Sequence, residues 1–258
     1  MAKTFEELEA LSHRLTALAE TVCESSFATG SRFGILGARV LARCTQSLYA
    51  VRLLVSKGCN GDAMSVARTI VEFAIDLAYI ADNPEERVAQ YESFGATRAH
   101  HLAEGIDNMH DGAVPDSVME SLRVDADAFK AVVKKWRDGW SGHSLKKRAS
   151  EITGDPDRRK TFDHLYSVVY NDMCLASHSG VMSLKYAETQ TPNGPVLAFA
   201  PQAPDVKAIE VVMFPFLVLI DVVASATSTE VSARLTSLAN ELADRDSRSQ
   251  SEQARPQS

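Results

Sequence analysis

The feature of this sequence that most restricts its possible folds is a long apolar stretch towards its C-terminal end. The segment IEVVMFPFLVLIDVVASATS, from Ile209 to Ser228, is close to the length of a bilayer-spanning helix. Glu210, Pro215 and Asp221 interrupt it, and carboxylates are costly within lipid. We therefore predict a helix buried in a protein core, bent near Pro215, and no membrane span.

Composition favours packed helices around that segment. Hydrophobic residues make up 45% of the 258 residues, but aromatic residues only 7%, which suits helices better than a β-sandwich. The four cysteines are scattered without a Cys-x-x-Cys pair, so we expect neither a disulfide framework nor a structural zinc site. The N-terminus MAKTFEELEA has no signal-peptide core, and we predict a cytoplasmic protein.

Local signals along the chain predict a helical bundle. Thr4 to Glu7 reads as a capping box, followed by an apolar seam from Leu8 to Val22 that is either core or a dimer contact. Asp62 is a predicted N-cap, and Asn193-Gly194 indicates a hairpin. We predict one all-α domain over residues 1–244. It is an up-and-down bundle of about seven or eight helices, with a short β-hairpin before the last long helix and a disordered polar tail over 245–258.

One predicted helix carries charge where apolar residues surround it. In the segment after Asp62, Arg68 and Glu72 lie four residues apart and share a face, as do Glu72 and Asp76. Buried charges need partners, because an unpaired charge in the interior costs several kcal/mol. The pattern is compatible with an internal Arg–Glu brace or with a polar cleft.

A second polar run contains the residue types that bind metals. Imidazoles and carboxylates suit zinc, iron or manganese. However, Gly105 weakens this helix and such runs are usually solvated, so we expect no metal and no cofactor here. The two candidate sets are His100, Glu104, Asp107 and Asp111, and His101, Glu104 and His110.

The third feature is a basic segment in an acidic chain. Residues 134–160 contain nine lysines and arginines, although the whole chain has a net charge of −7. Such a patch is either an ordinary solvated surface or a site for RNA or another phosphate-bearing ligand. The candidate nucleic-acid-binding residues are Lys146, Lys147, Arg148, Arg158 and Lys160.

Within this segment, RKTFDH places Arg159 and His164 in an Arg-x-x-x-x-His pattern. It resembles the signature of the HEPN superfamily, helical proteins that include metal-independent ribonucleases. The resemblance implies a dimer, with the histidine as acid and base and the arginine holding phosphate. The sequence departs from it at Lys160, where active families carry a small polar residue.

Three longer segments resemble a widespread bacterial family catalogued only as a domain of unknown function. They are ARTIVEFAIDLAYIADNPEER, WSGHSLKKRA and YSVVYNDMCLASHSG, and the region that contains them runs from Asp62 to Gly180. The resemblance implies an all-helical fold and brings no reaction with it. The serine directly before His178 departs from the family pattern.

The same segments supply our candidate site. Arg68, Glu72, Tyr170 and His178 are the candidate catalytic residues, with Trp140 and Ser144 lining the pocket and Arg159 with His164 as the alternative pair. In this hypothesis Arg68 anchors an anion, Glu72 orients it and His178 titrates. Alternatively, His178 merely ends its helix before a Gly180 cap.

Three functional hypotheses stay open at this point. The first is a HEPN-like RNA-binding or RNA-cleaving protein, related to toxins or phage-defence effectors. The second is a non-enzymatic interaction or scaffold domain with a buried Arg-Glu-His bracing network. The third is a metalloenzyme in which His100 or His101 approaches Glu72 or Asp76. Whether the protein is an enzyme is left open, and we expect a homo-oligomer such as a dimer.

Overall fold

The chain folds into an all-helical bundle, which confirms the predicted class. The computed structural model describes residues 4–110, 112–134, 139–154, 156–177, 188–192, 194–197 and 202–253. These ranges contain nine helices, whereas about seven or eight were predicted. The last long helix is two helices, separated at residues 227–231. The domain boundary at residue 244 and the disordered tail stay predictions.

The helices follow one another with short connections. Helix α7 has three consecutive parts: an α-helical stretch (Pro156–His164), a π-helical segment (Leu165–Tyr170) and a second α-helical stretch (Asn171–Ser177). Between α7 and α8, strands β1 (Glu188–Thr191) and β2 (Gly194–Leu197) pair antiparallel. The other helices are α1 (Phe5–Ala28), α2 (Arg32–Ser56), α3 (Asn60–Ala81), α4 (Pro84–Met109), α5 (Asp116–Val132), α6 (Leu145–Glu151), α8 (Lys207–Ala226) and α9 (Ser232–Gln253).

The apolar segment forms the centre of the bundle. Helix α8 packs against α1, α2 and α3. Within the described residues it is the one helix long and apolar enough to cross a membrane, but 72% of its apolar window is buried inside the protein. Ile209, Phe216 and Leu219 are completely buried. These contacts agree with the prediction of a core helix.

Helix α1 begins and packs as its sequence predicts. Thr4 accepts a hydrogen bond from the Glu7 backbone, and the Glu7 carboxylate accepts one from the Thr4 backbone, which confirms the capping box. The seam from Leu8 to Val22 is buried in the hydrophobic core. The seam is therefore core and not a dimer contact.

The junction of α2 and α3 is built differently from its prediction. Helix α3 begins at Asn60, and Asp62 lies in its first turn, so the predicted N-cap is wrong. The Asn60 side chain donates to the Ala203 carbonyl (3.0 Å) and accepts from the Asp205 backbone (3.1 Å), which ties the start of α3 to the start of α8. Gly58 has φ +71°, and a Cβ there would lie 1.9 Å from the Gln202 carbonyl oxygen.

Helices α4 and α5 form a hairpin beside the core. They pack against each other, with Phe94 and Phe129 in ring contact at 5.6 Å. Asn83-Pro84 separates α3 from α4, as predicted, with Pro84 in the first turn. The second half of α4 keeps Leu102 and Met109 exposed to solvent.

Candidate functional site

Helix α3 carries a polar stripe along an otherwise apolar surface. Ile70, Ala74 and Ile75 are completely buried, because α3 packs against α2, α8, α6 and α7. Arg68, Glu72 and Asp76 are spaced by four residues and so share one face. We call these three residues the α3 stripe.

Arg68 and Glu72 form the outer end of the α3 stripe. The Arg68 Nε donates to the Glu72 Oε1 at 2.8 Å, and the two side chains are 25% and 34% exposed. The Arg68 guanidinium also lies 5.4 Å from the ring centroid of Tyr170. Partial burial lowers the pKa of Arg68, but Glu72 more than offsets this effect and the pKa is raised. The guanidinium is therefore charged, fixed and reachable from solvent.

The tyrosine beside Arg68 belongs to the π-helical segment of α7. Tyr166 and Tyr170 stack at 5.4 Å between centroids with an interplanar angle of 20°. Burial raises the pKa of Tyr170, and the neighbouring Cys174 and Glu72 raise it further. Short π-helical segments are frequent at functional sites. This one presents two stacked aromatic rings beside a cation.

Asp76 forms the inner end of the α3 stripe and holds two residues from distant parts of the chain. Its carboxylate accepts from Arg148 Nε at 2.7 Å and from Trp140 Nε1 at 3.1 Å. The Arg148 guanidinium also donates to the His143 carbonyl at 2.5 Å. The Asp76 and Arg148 side chains are only 13% and 9% exposed, so this is a nearly buried ion pair.

Aromatic rings complete the surroundings of Asp76. Trp140 meets Tyr79 and Tyr91 edge to face, at 5.8 and 5.2 Å between centroids. Burial raises the pKa of Asp76 from 3.8 to about 6, against the opposing effects of Arg148 and Trp140, and Glu72 adds a small raise. Asp76 can therefore exchange a proton close to neutral pH.

The predicted pocket residue Ser144 is a helix cap. Its side chain accepts from the Lys147 backbone at 3.3 Å and so begins α6. Beside it, His143 Nδ1 lies 2.9 Å from Glu151 Oε2 and 3.4 Å from the Tyr79 hydroxyl. Trp140 and Ser144 thus support α6 around Asp76, and His143 pairs with Glu151 at the surface beside them.

The basic segment divides into buried and exposed members. Arg148 is committed to Asp76 and is not presented to solvent. Arg158 forms an ion pair with Asp82 at 3.7 Å, and Lys160 pairs with Asp157 at 3.3 Å. Lys146 and Lys147 are exposed on α6. The predicted basic patch is therefore smaller than its nine charges suggest.

The alternative pair lies on the surface of α7. Arg159 and His164 are both exposed, and the Arg159 Nε donates to the Gly154 carbonyl at 3.3 Å. Residues five apart on an α-helix point in different directions, so one chain does not align them. His178 lies outside the described residues, and its predicted approach to Arg68 stays a prediction.

The sequence predicted that Arg68, Glu72 and Tyr170 lie together, which the structure shows, but the prediction gave Asp76 too small a role. Asp76 continues the spacing of Arg68 and Glu72, and a buried tryptophan needs an acceptor for its indole N–H. Those two signals pointed towards it. Its pairing with Arg148 could not be read from sequence, because 72 residues separate them and Arg148 looked like one member of a basic run.

These observations define the class of protein. It is an all-helical bundle with a charged stripe on α3 and two stacked tyrosines beside it. The chain belongs to a family of unknown function, DUF5677, which it matches over residues 35–194, from α2 to β2. This region contains the whole α3 stripe and α7. No curated protein and no solved structure matches the chain.

Proposed function

We propose that this protein binds single-stranded RNA at the surface formed by Arg68, Tyr166 and Tyr170. The observation that carries the proposal is the partly exposed Arg68 guanidinium, which Glu72 holds beside the Tyr170 ring while Tyr170 stacks on Tyr166. Arginine recognises phosphate, and tyrosine rings stack on bases without regard to sequence. A cation beside stacked aromatic rings therefore suits a single nucleic-acid strand, which presents both phosphates and bases.

Charge around this surface supports an anionic ligand. Helix α6, which carries the exposed Lys146 and Lys147, packs against α3 and against the π-helical segment. Glu72 occupies one donor of the guanidinium, which has further N–H groups for a phosphate. A phosphate must compete with Glu72 for Arg68. The carboxylate therefore lowers the affinity for RNA while it orients the guanidinium.

The scaffold alternative receives less support from the same contacts. A buried bracing network requires inaccessible Arg68 and Glu72, and both are partly exposed. RNA cleavage in a HEPN-like manner would need a histidine at the bound strand, and His164 and His178 are the candidates. A cytoplasmic toxin or phage-defence role and a homodimer belong to the same proposal.

The test is binding of a fluorescein-labelled single-stranded RNA, followed by anisotropy at several salt concentrations. Arg68→Ala should weaken binding about tenfold and flatten the salt dependence by about one unit of slope. Tyr166→Ala should weaken binding about fivefold or more, since stacking on one base contributes about 1–3 kcal/mol. Glu72→Gln should strengthen binding, because the phosphate no longer competes with a carboxylate.

Arg123→Ala is the matched control. Arg123 is an exposed arginine on α5 that pairs with Glu120 and Asp127, and its loss should leave affinity unchanged. Denaturing gels of the same mixtures, with His164→Ala and His178→Ala, report cleavage. Absence of RNA binding by the wild type at low salt, or equal losses in Arg68→Ala and Arg123→Ala, would refute the proposal.

A further inference from the structure

We propose that His100, His101 and Glu104, in the second half of α4, bind one divalent transition-metal ion, Zn²⁺ in the first instance. The ligand atoms of these three side chains all lie within 4.8 Å of one another. Glu104 Oε2 is 3.0 Å from His101 Nδ1 and 3.7 Å from His100 Nδ1. The spacing brings two imidazoles to one carboxylate on one helix.

His100 carries the argument, because its environment differs from that of a solvated histidine. Its side chain is only 8% exposed, and its Nδ1 is buried without a hydrogen-bond partner among the described residues. Thr97, one turn earlier, also has a buried hydroxyl that lacks a partner there. Buried polar atoms are nearly always satisfied, so an orphaned ring nitrogen beside a carboxylate points to a ligand.

The set of donors fits zinc better than a hard cation. Two imidazole nitrogens and one carboxylate oxygen form a common ligand set of zinc sites that keep an open position. Zinc–ligand bonds of about 2.0–2.2 Å place ligand atoms roughly 3.4 Å apart in a tetrahedron. The separations of 3.0 and 3.7 Å bracket that value. The third pair, the ring nitrogens of His100 and His101, lies within 4.8 Å.

Exposure of the other two ligands gives the ion a path to the site. His101 and Glu104 are 42% and 43% exposed, whereas His100 forms the inner wall. The open coordination position therefore faces solvent, where a water molecule completes the tetrahedron. The sequence led us to expect a solvated run here, and the burial of His100 is what changes the interpretation.

The ion would also stabilise its own helix. Glu104 lies four residues after His100 and three after His101, so one ion links neighbouring turns of α4. Gly105 follows directly and weakens the helix. Because an ion that binds only the folded chain raises its stability, zinc should raise the melting temperature.

The test uses the full chain stripped with EDTA, with Zn²⁺ titrated in a calorimeter and Co²⁺ followed by its absorption spectrum. We expect one ion per chain and a tetrahedral cobalt spectrum without a thiolate charge-transfer band. His101→Ala and Glu104→Gln, both at positions that are at least partly exposed, should weaken binding more than about tenfold. Their melting temperatures without metal should stay near that of the wild type.

His110→Ala is the matched control, because His110 is exposed at the end of α4 and lies outside the three ligands. It should bind zinc as the wild type does. No binding by the wild type would overturn the proposal. Undiminished binding in Glu104→Gln, or a thiolate band, would also overturn it by placing the ion elsewhere. None of these outcomes depends on RNA binding.

Discussion

At the scale of single residues, Asp76 shows that burial can outweigh the effect of an ion-pair partner on a carboxyl group. It is nearly buried, yet it organises Trp140 and Arg148. Burial raises the pKa of Asp76 by more than Arg148 and Trp140 lower it. The folded protein therefore holds a proton there more tightly than the unfolded chain does. The ion pair thus fixes the positions of Arg148 and Trp140 more than it stabilises the fold.

This arrangement predicts an unusual pH dependence. The pKa of Asp76 is raised from 3.8 to about 6, so between these values the folded state binds more protons than the unfolded state. The free energy of unfolding should therefore fall with rising pH in that window, by on the order of 1–3 kcal/mol from this residue. Urea unfolding of wild type and Asp76→Asn from about pH 4 to 7 measures the contribution.

In Asp76→Asn that slope should be absent. Asp125→Asn, at an exposed position of α5, serves as the control and should keep the wild-type profile. Parallel profiles for wild type and Asp76→Asn would mean that Asp76 titrates as it does in the unfolded chain.

At the scale of elements, close approach of α2 and α8 is a requirement of the core. Gly37 of α2 faces Val223 of α8, and a Cβ at position 37 would lie 2.9 Å from Val223 Cγ1 and 3.2 Å from Cγ2. Val223 is completely buried and β-branched, so it cannot turn away. The glycine lets the two helix backbones come together.

Gly37→Ala should therefore destabilise the protein by about 1–3 kcal/mol, because overpacking exceeds the gain in helix propensity. Gly95→Ala in α4 is the matched control, since its Cβ would meet open space. It should stabilise by up to about 1 kcal/mol. Chemical unfolding of both variants measures the change in the free energy of unfolding, which should have opposite signs. Stabilisation by Gly37→Ala would contradict the close packing of Gly37 against Val223.

Helices and their local signals were largely predictable, whereas contacts between them were not. The Thr4–Glu7 capping box and the Asn83-Pro84 boundary depend on neighbouring residues, and both predictions are confirmed. The start of α3 was misplaced because Asn60 is held by residues 203 and 205, far along the chain. Of the candidate site, the Arg68–Glu72 pair followed from spacing, but the burial of Arg148 and His100 depends on tertiary packing.

At the scale of the whole molecule, α8 determines how the chain shelters its most apolar segment. The helix packs against α1, α2, α3 and α9, and its residues from Ile209 to Ala224 are mostly buried. A protein core thus takes the place that lipid would have in a membrane span. The same helix brings α1, α2 and α3 to a common centre.

A charge placed in this centre should unfold the protein. Leu219→Lys puts an ammonium at a completely buried position without a partner, which costs several kcal/mol. Phe214→Lys, on the exposed side of α8 at 39% exposure, is the control and should fold. Circular dichroism and the soluble fraction after expression distinguish them. A folded Leu219→Lys that partitions into vesicles would favour a membrane span instead.

The position of α8 along the chain has a consequence for synthesis. A ribosome releases α1, α2 and α3 long before it reaches Lys207, and those helices contact α8 in the finished bundle. At ordinary elongation rates, their apolar faces stay without α8 for on the order of ten seconds. Nascent chains of this protein should therefore engage chaperones until translation passes Ala226.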